Sequence, residues 1–116
     1  MPKKYRLSHA ELIGLSKPSR RVHGSYFSLT VTPLPASLGA KVACAVSKKV
    51  SARAVDRNRI ERACREALRP LMEEIQKPVA LIFYAKREAR EATSALIARD
   101  IGKLLQVIER DTMLTP

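Results

Sequence analysis

Long apolar runs are missing from this sequence. None approaches the ~20 residues a bilayer crossing needs, so a membrane-spanning helix is not expected. The opening Met1-Pro2-Lys3-Lys4-Tyr5-Arg6 is followed by no apolar stretch, so no signal peptide is expected and the compartment read from it is the cytoplasm. Cysteine is scarce: Cys44 and Cys64 are the only two, with no CxxC pair and no Cys/His ligand spacing, which argues against zinc and leaves two buried free thiols. Paired carboxylates and metal-ligand clusters are also lacking. His9 and His23 have no partner that spacing identifies, so no catalytic residue and no metal site or cofactor is expected on the protein itself. Repeats, linkers and low-complexity tracts are absent, and 116 residues suffice for one domain, taken as 1–116, with a modest core.

Acidic residues are in short supply in one part of the chain only. Lys and Arg number 22 against 11 Asp and Glu, a formal charge of +11. Residues 1–72 carry 15 basic and 4 acidic side chains, whereas 73–116 carry 7 of each, so the whole excess lies in the first two-thirds. A domain this basic attracts polyanions, and charge confined to one region indicates a localised binding surface rather than general solubility.

The remaining pattern gives elements of both kinds. Ser8 to Ser16 reads as a short helix, with Ser8 and Glu11 at capping-box spacing, Leu12 and Leu15 on a narrow apolar face, and Pro18 as a stop. A short edge strand is expected near Arg21–His23. Ser25 to Thr32 alternates, with Phe27, Leu29 and Val31 on one side and Tyr26, Ser28 and Thr30 on the other. Lys41 to Ser47 alternates again, Val42, Cys44 and Val46 against Ala43, Ala45 and Ser47. Paired antiparallel, these strands would have one greasy face and one shallow face, open to water or a ligand. Ile60, Ala63, Cys64, Ala67, Leu68 and Leu71 mark an amphipathic helix starting between Ser51 and Asp56. Val79 to Tyr84 reads as a buried strand, and Ser94 to Ile108 as a last helix with Ile97, Ile101, Leu104, Leu105 and Ile108 inward.

The central helix carries the strongest functional signal. Asn58, Arg62, Arg65 and Arg69 fall at i, i+4, i+7 and i+11, within roughly 60° of one another and opposite the apolar stripe. Arg57 and Arg59 flank the stripe, and Lys48, Lys49 and Arg53 precede it. Guanidinium groups donate paired hydrogen bonds to phosphate. Glu61 and Glu66 are the only acids among five arginines, so a charge-balanced solvated face does not account for the pattern. A ribosomal or RNA-chaperone protein, or a DNA-binding module, would share this charge, although no set of base-edge readers stands near the helix start.

The run Ala45-Val46-Ser47-Lys48-Lys49-Val50, continuing through Ala54-Val55-Asp56-Arg57-Asn58-Arg59-Ile60-Glu61-Arg62 and Arg65-Glu66-Ala67-Leu68-Arg69, resembles the protein component of bacterial ribonuclease P. The Arg6-Leu7 entry, the Tyr26-Phe27 strand and the apolar last strand before a terminal helix fit it too, so the resemblance spans about residues 5–108. It implies an α+β fold, a small two-layer α/β sandwich with a mixed sheet of about four strands, three helices and a left-handed crossover (ribosomal protein S5 domain 2-like). It implies an accessory subunit of an endoribonuclease whose RNA subunit performs the Mg²⁺-dependent cleavage of precursor tRNA. By position, the catalytic RNA falls to Lys48, Lys49, Arg53, Arg57, Asn58, Arg59, Arg62, Arg65 and Arg69. The single-stranded 5′ leader falls to a cleft of Leu12, Leu15, Tyr26, Ser28, Thr30, Ala43, Ala45 and Ser47, with Tyr26 as the stacking residue. No membrane and no obligate protein partner are implied. Two positions depart from the family pattern. The first helix offers Leu12, Ile13 and Leu15 where aromatics are usual, and Glu61 stands where a basic residue is common.

Overall fold

The computed structural model describes residues 2–15, 17, 18 and 20–110. Its four strands, β1 (Arg20–His23), β2 (Phe27–Pro33), β3 (Lys41–Ala45) and β4 (Val79–Ala85), form one mixed sheet in the order β1-β2-β4-β3. β2 pairs antiparallel with both β1 and β4, and β3 runs parallel to β4, so the expected antiparallel pairing of β2 with β3 does not form: β4 lies between them. Parallel neighbours cannot be joined by a hairpin; here the crossover holds α2 (Ala54–Leu68). With α1 (His9–Ile13) and α3 (Ser94–Arg110), this is the mixed four-strand, three-helix α+β arrangement that the sequence led us to expect.

Side-chain periodicity explains the layering. Phe27, Leu29 and Val31 of β2 and Leu81 and Phe83 of β4 are fully buried on one face of the sheet. Against them lie Ile60, Cys64 and Leu68 of α2 and Ile97, Ile101, Leu104, Leu105 and Ile108 of α3, in one continuous core. Each large apolar side chain removed from water contributes about 1.5–3 kcal/mol. Both cysteines are free, Cys64 buried and Cys44 partly so.

Element ends differ from expectation for local reasons. α1 is framed by the anticipated capping box but ends at Ile13, with Gly14 as its cap. The expected terminus, Ser16, is outside the described residues. α2 stops at Leu68 because Pro70 has no N–H to continue the ladder. The chain tightens into a 3₁₀ turn, Arg69–Glu74, that carries Leu71 and buries Met72. β3 ends at Ala45 rather than Ser47, as the chain turns and the Val50 N–H donates to the Ser47 carbonyl.

The register sorts the second face of the sheet into rows. His23, Ser28, Tyr84 and Ala45 align across all four strands, as do Arg21, Thr30, Ile82 and Ala43. The face is not open throughout: Ser28, Thr30, Thr32, Ala80 and Ile82 are all buried. Its closed end is the one to which α1 is tied, by a 2.7 Å ion pair from Lys41 to Glu11. Here the incoming chain also lies along β3, with Arg6 bridging Val42 and the Leu7 N–H donating to the Val42 carbonyl at 3.0 Å. The open end is at the carboxyl ends of β3 and β4, where Tyr84 is 39% exposed. The expectation of a wholly buried last strand is therefore corrected at Tyr84, the even-numbered side of β4 facing away from the core.

One carboxylate closes the structure at the other side of the core. Asp100 of α3 is buried and accepts hydrogen bonds from the backbone N–H groups of Ser25, Tyr26 and Phe27, each at 2.9 Å. Gly24 permits the approach: a Cβ there would sit 2.7 Å from Asp100 Oδ1. The same turn is held from β4 by the Lys86 N–H on the Tyr26 carbonyl at 2.8 Å and by the Lys86 ammonium on the Gly24 carbonyl.

Asp100→Asn replaces one acceptor oxygen by a donor facing N–H groups. It is expected to cost roughly 3 kcal/mol or more, read as a lower denaturation midpoint in urea. The Glu11 carboxyl is held down from 4.5 to about 2, chiefly by the hydrogen bond from Lys41 and next by the Ser8 N–H. A carboxyl depressed by folding adds stability that is complete above its unfolded value and disappears as pH falls through its folded value. The stability difference between the native protein and Glu11→Gln should therefore be constant above pH of about 4.5 and vanish on acidification towards about 2, as thermal melts across that range would register.

Candidate nucleic-acid interface

The arginines of α2 divide by what their guanidinium groups already hold. Arg57 Nη1 donates to the Ser51 and Ala52 carbonyls, both at 2.9 Å, and so closes the loop that leads into the helix. Arg59 donates to the Ala92 and Arg90 carbonyls at 3.1 and 2.7 Å, fastening α2 to the 3₁₀ turn before α3. Arg65 pairs with Glu61 at 2.6 Å, the i,i+4 pairing the spacing suggested, and Arg69 pairs with Glu66 at 2.9 Å. Both pairs are solvent-exposed, so an incoming phosphate competes with them at little cost.

Arg53, Asn58 and Arg62 are exposed, and their side chains have no hydrogen-bond or ion-pair partner among the described residues. Lys48 and Lys49, in the turn after β3, are in the same condition. These five are available cationic and polar groups, whereas Arg57 and Arg59 have structural duties. Between α2 and α3 runs a groove of about 930 Å³, with Asn58, Arg59 and Arg62 on its α2 side and Ser94 and Ala95 on its α3 side. Ala63, Ala67 and Ala98 leave it open by being small.

The expected cleft residues are distributed along the second sheet face. Ser28 and Ala45 share a row, as do Thr30 and Ala43. Thr30 is fully buried, and its hydroxyl has no hydrogen-bond partner among the described residues. Ser47 is exposed in the turn beyond β3. Tyr26 precedes β2, half-buried against the core, with its N–H held by Asp100. Leu12 on α1 is 37% exposed, and Leu15, just past the cap of that helix, is half-buried. Beside the face, a second groove of about 440 Å³ is lined by Lys3, Arg6, Glu11, Lys41 and Cys44, with Arg65 closing it from α2.

Tyr84 was missed by sequence reasoning, although it is the exposed aromatic in the row of Ser28 and Ala45. Parity along Val79–Tyr84 is the signal that could have found it: Phe83 and Leu81 point inward, so Tyr84 points outward. His23 was likewise set aside, yet its Nδ1 is 2.9 Å from Ser28 Oγ across the β1–β2 pair. Buried Cys64 has its thiol pushed well up by loss of water, with Cys44 adding to the shift, so no reactive thiolate is poised there. Among the described residues no three His, Cys, Asp or Glu side chains gather as a metal site, and no helix is long and apolar enough to cross a membrane.

A model of the family described as Ribonuclease P matches residues 1–109. The ribonuclease P protein component of Picosynechococcus sp. is 30% identical over 106 residues, covering 90% of each chain. That of Desulfovibrio desulfuricans is 33% identical over 112 residues, covering 95% of this chain and 85% of the relative. The fold is matched by the solved RNase P protein of Staphylococcus aureus, with a TM-score of 0.77 at 24% identity over 90% of this chain and 95% of that one. Taken with the arginine helix and the mixed sheet described above, these likenesses establish that the chain belongs to the ribonuclease P protein family.

Proposed function

We propose that this chain is the protein subunit of a ribonuclease P holoenzyme, holding the catalytic RNA on α2 and the single-stranded 5′ leader of precursor tRNA on the second sheet face. The observation that carries the leader assignment is the row Ser28–Tyr84–Ala45, which sets an exposed tyrosine between small neighbours at the open end of the face. Bases of any identity stack on such a ring, and flanking cations follow the backbone. Leu12 and Leu15 bound the cleft with apolar contact in place of first-helix aromatics. Tyr84 then takes the stacking part first expected of Tyr26, whose ring is half-buried in the core margin.

The catalytic RNA is assigned to Lys48, Lys49, Arg53, Asn58 and Arg62, with Arg65 and Arg69 exchanging their glutamate partners for phosphate. Arg57 and Arg59 support that face by fixing the loop before α2 and the turn before α3. The Mg²⁺ ion is assigned to the RNA subunit, which supplies the hydrolytic chemistry. The contribution of this chain is to bind and orient substrate, and its positive charge lowers the repulsion between leader and catalytic RNA. Bound leader thereby raises the affinity of the complex for substrate and for cations.

Adding the protein to a bacterial ribonuclease P RNA at low Mg²⁺ should restore cleavage of precursor tRNA at the mature 5′ end; absence of stimulation refutes the assignment. Arg62→Ala should flatten the dependence of RNA affinity on salt by about one ion, in filter binding across a salt series. Arg59→Ala should instead lower protein stability by roughly 1–2 kcal/mol, because it releases the Ala92 and Arg90 carbonyls.

A further inference from the structure

We infer that β1 is the second rail of the single-strand site: Arg21 and His23 contact the RNA, so that the leader crosses the sheet from the β3 side to the β1 edge. This rests on the assignment of the leader to the second sheet face. The register places both residues there. His23 closes the row Ser28–Tyr84–Ala45, and Arg21 closes the row Thr30–Ile82–Ala43. With neighbouring strands about 4.8 Å apart, the face spans ~14 Å from β3 to β1. Tyr84 on β4 lies between the two edges. In the turn after β3 are Lys48 and Lys49; on β1 are the guanidinium and the imidazole. An aromatic platform flanked by cations on both sides is how single strands are held without sequence reading.

The two side chains are prepared differently. His23 is exposed, but its ring is fixed by the 2.9 Å contact between Nδ1 and the hydroxyl of Ser28, itself buried. When that hydroxyl donates to Nδ1, the N–H is carried by Nε2, which has no partner among the described residues and can donate to a phosphate oxygen or a base acceptor. A ring already held loses little freedom on binding. Arg21 is exposed, with no hydrogen-bond or ion-pair partner among the described residues. The nearby turn contains no competing free carboxylate, since Asp100 is engaged by three N–H groups. Edge strands commonly carry charge to block pairing with another sheet. That accounts for a cation at Arg21, yet it gives no reason for an imidazole anchored to a buried serine.

Holoenzyme assembled with ribonuclease P RNA, and precursor tRNAs with leaders of about 2 to about 10 nucleotides, test the inference. For native protein the affinity should rise with leader length until the strand reaches β1. Arg21→Gln combined with His23→Gln should remove the last part of that rise, about tenfold at the longest leader, and lower the salt slope there by about one ion. Equal loss at every leader length would move these residues to another RNA contact and overturn the inference, as would native-like affinity throughout. Tyr84→Ala separates the two levels. If it abolishes the length dependence while the β1 variant does not, the sheet face still binds the leader and only the β1 rail is wrong. If neither variant changes the length dependence, the leader assignment itself falls. Circular dichroism melts check folding, and crosslinking from 4-thiouridine at successive leader positions to native protein gives an independent reading. Adducts on the peptide containing 20–23 are expected from distal positions, and their absence when β3-side adducts form would count against it.

Discussion

The Asp100 carboxylate holds the two halves of the molecule in register. It is presented by a helix whose other inward positions are isoleucine and leucine, so its desolvation must be compensated, and three converging backbone N–H groups do so. Those donors belong to the turn that joins β1 to β2. Fixing the turn fixes which residue of β1 faces which of β2, and hence which side chains reach the second face. A one-residue slip would turn His23 and Arg21 towards the core and Val22 towards solvent.

From that constraint the two surfaces proposed for RNA acquire different characters. The second sheet face is shut where α1 is pinned by Glu11 and Lys41, and open where β3 and β4 end. The arginine helix begins just after that open end, so Lys48 and Lys49 lie between the two surfaces. Arginine serves both purposes on α2. Some guanidinium groups hold backbone carbonyls, as Arg57 and Arg59 do, while that of Arg62 has no partner among the described residues.

Much of this was legible in the sequence because it follows from spacing. The capping box of α1, the inward faces of α2 and α3, and the sidedness of β2 and β3 are periodic signals, and each appears where it was expected. The α2 stripe was equally visible, together with its Glu61–Arg65 pair. What spacing could not convey was distance in the chain. That Arg59 would be drawn to Arg90 and Ala92, or Asp100 to Ser25, depends on tertiary contacts between remote segments. The orientation of Tyr84 was hidden differently: an apolar strand buried on both sides for most of its length has no polar alternation to betray the single residue that emerges.

The order β1-β2-β4-β3 also has a kinetic meaning. β4 is the last strand in sequence and is flanked by both β2 and β3, so β3 has no strand partner until β4 arrives. On a ribosome, the hairpin of β1 and β2 can form early, whereas β3 and α2 wait unsupported for residues 79–85. Closure then depends on contacts between residues distant in the chain, a topology that folds more slowly than one built from local contacts. During that interval the arginine-rich segment is synthesised without its rigid frame. The basic face of α2 therefore acquires its fixed geometry only with the strand that completes the sheet.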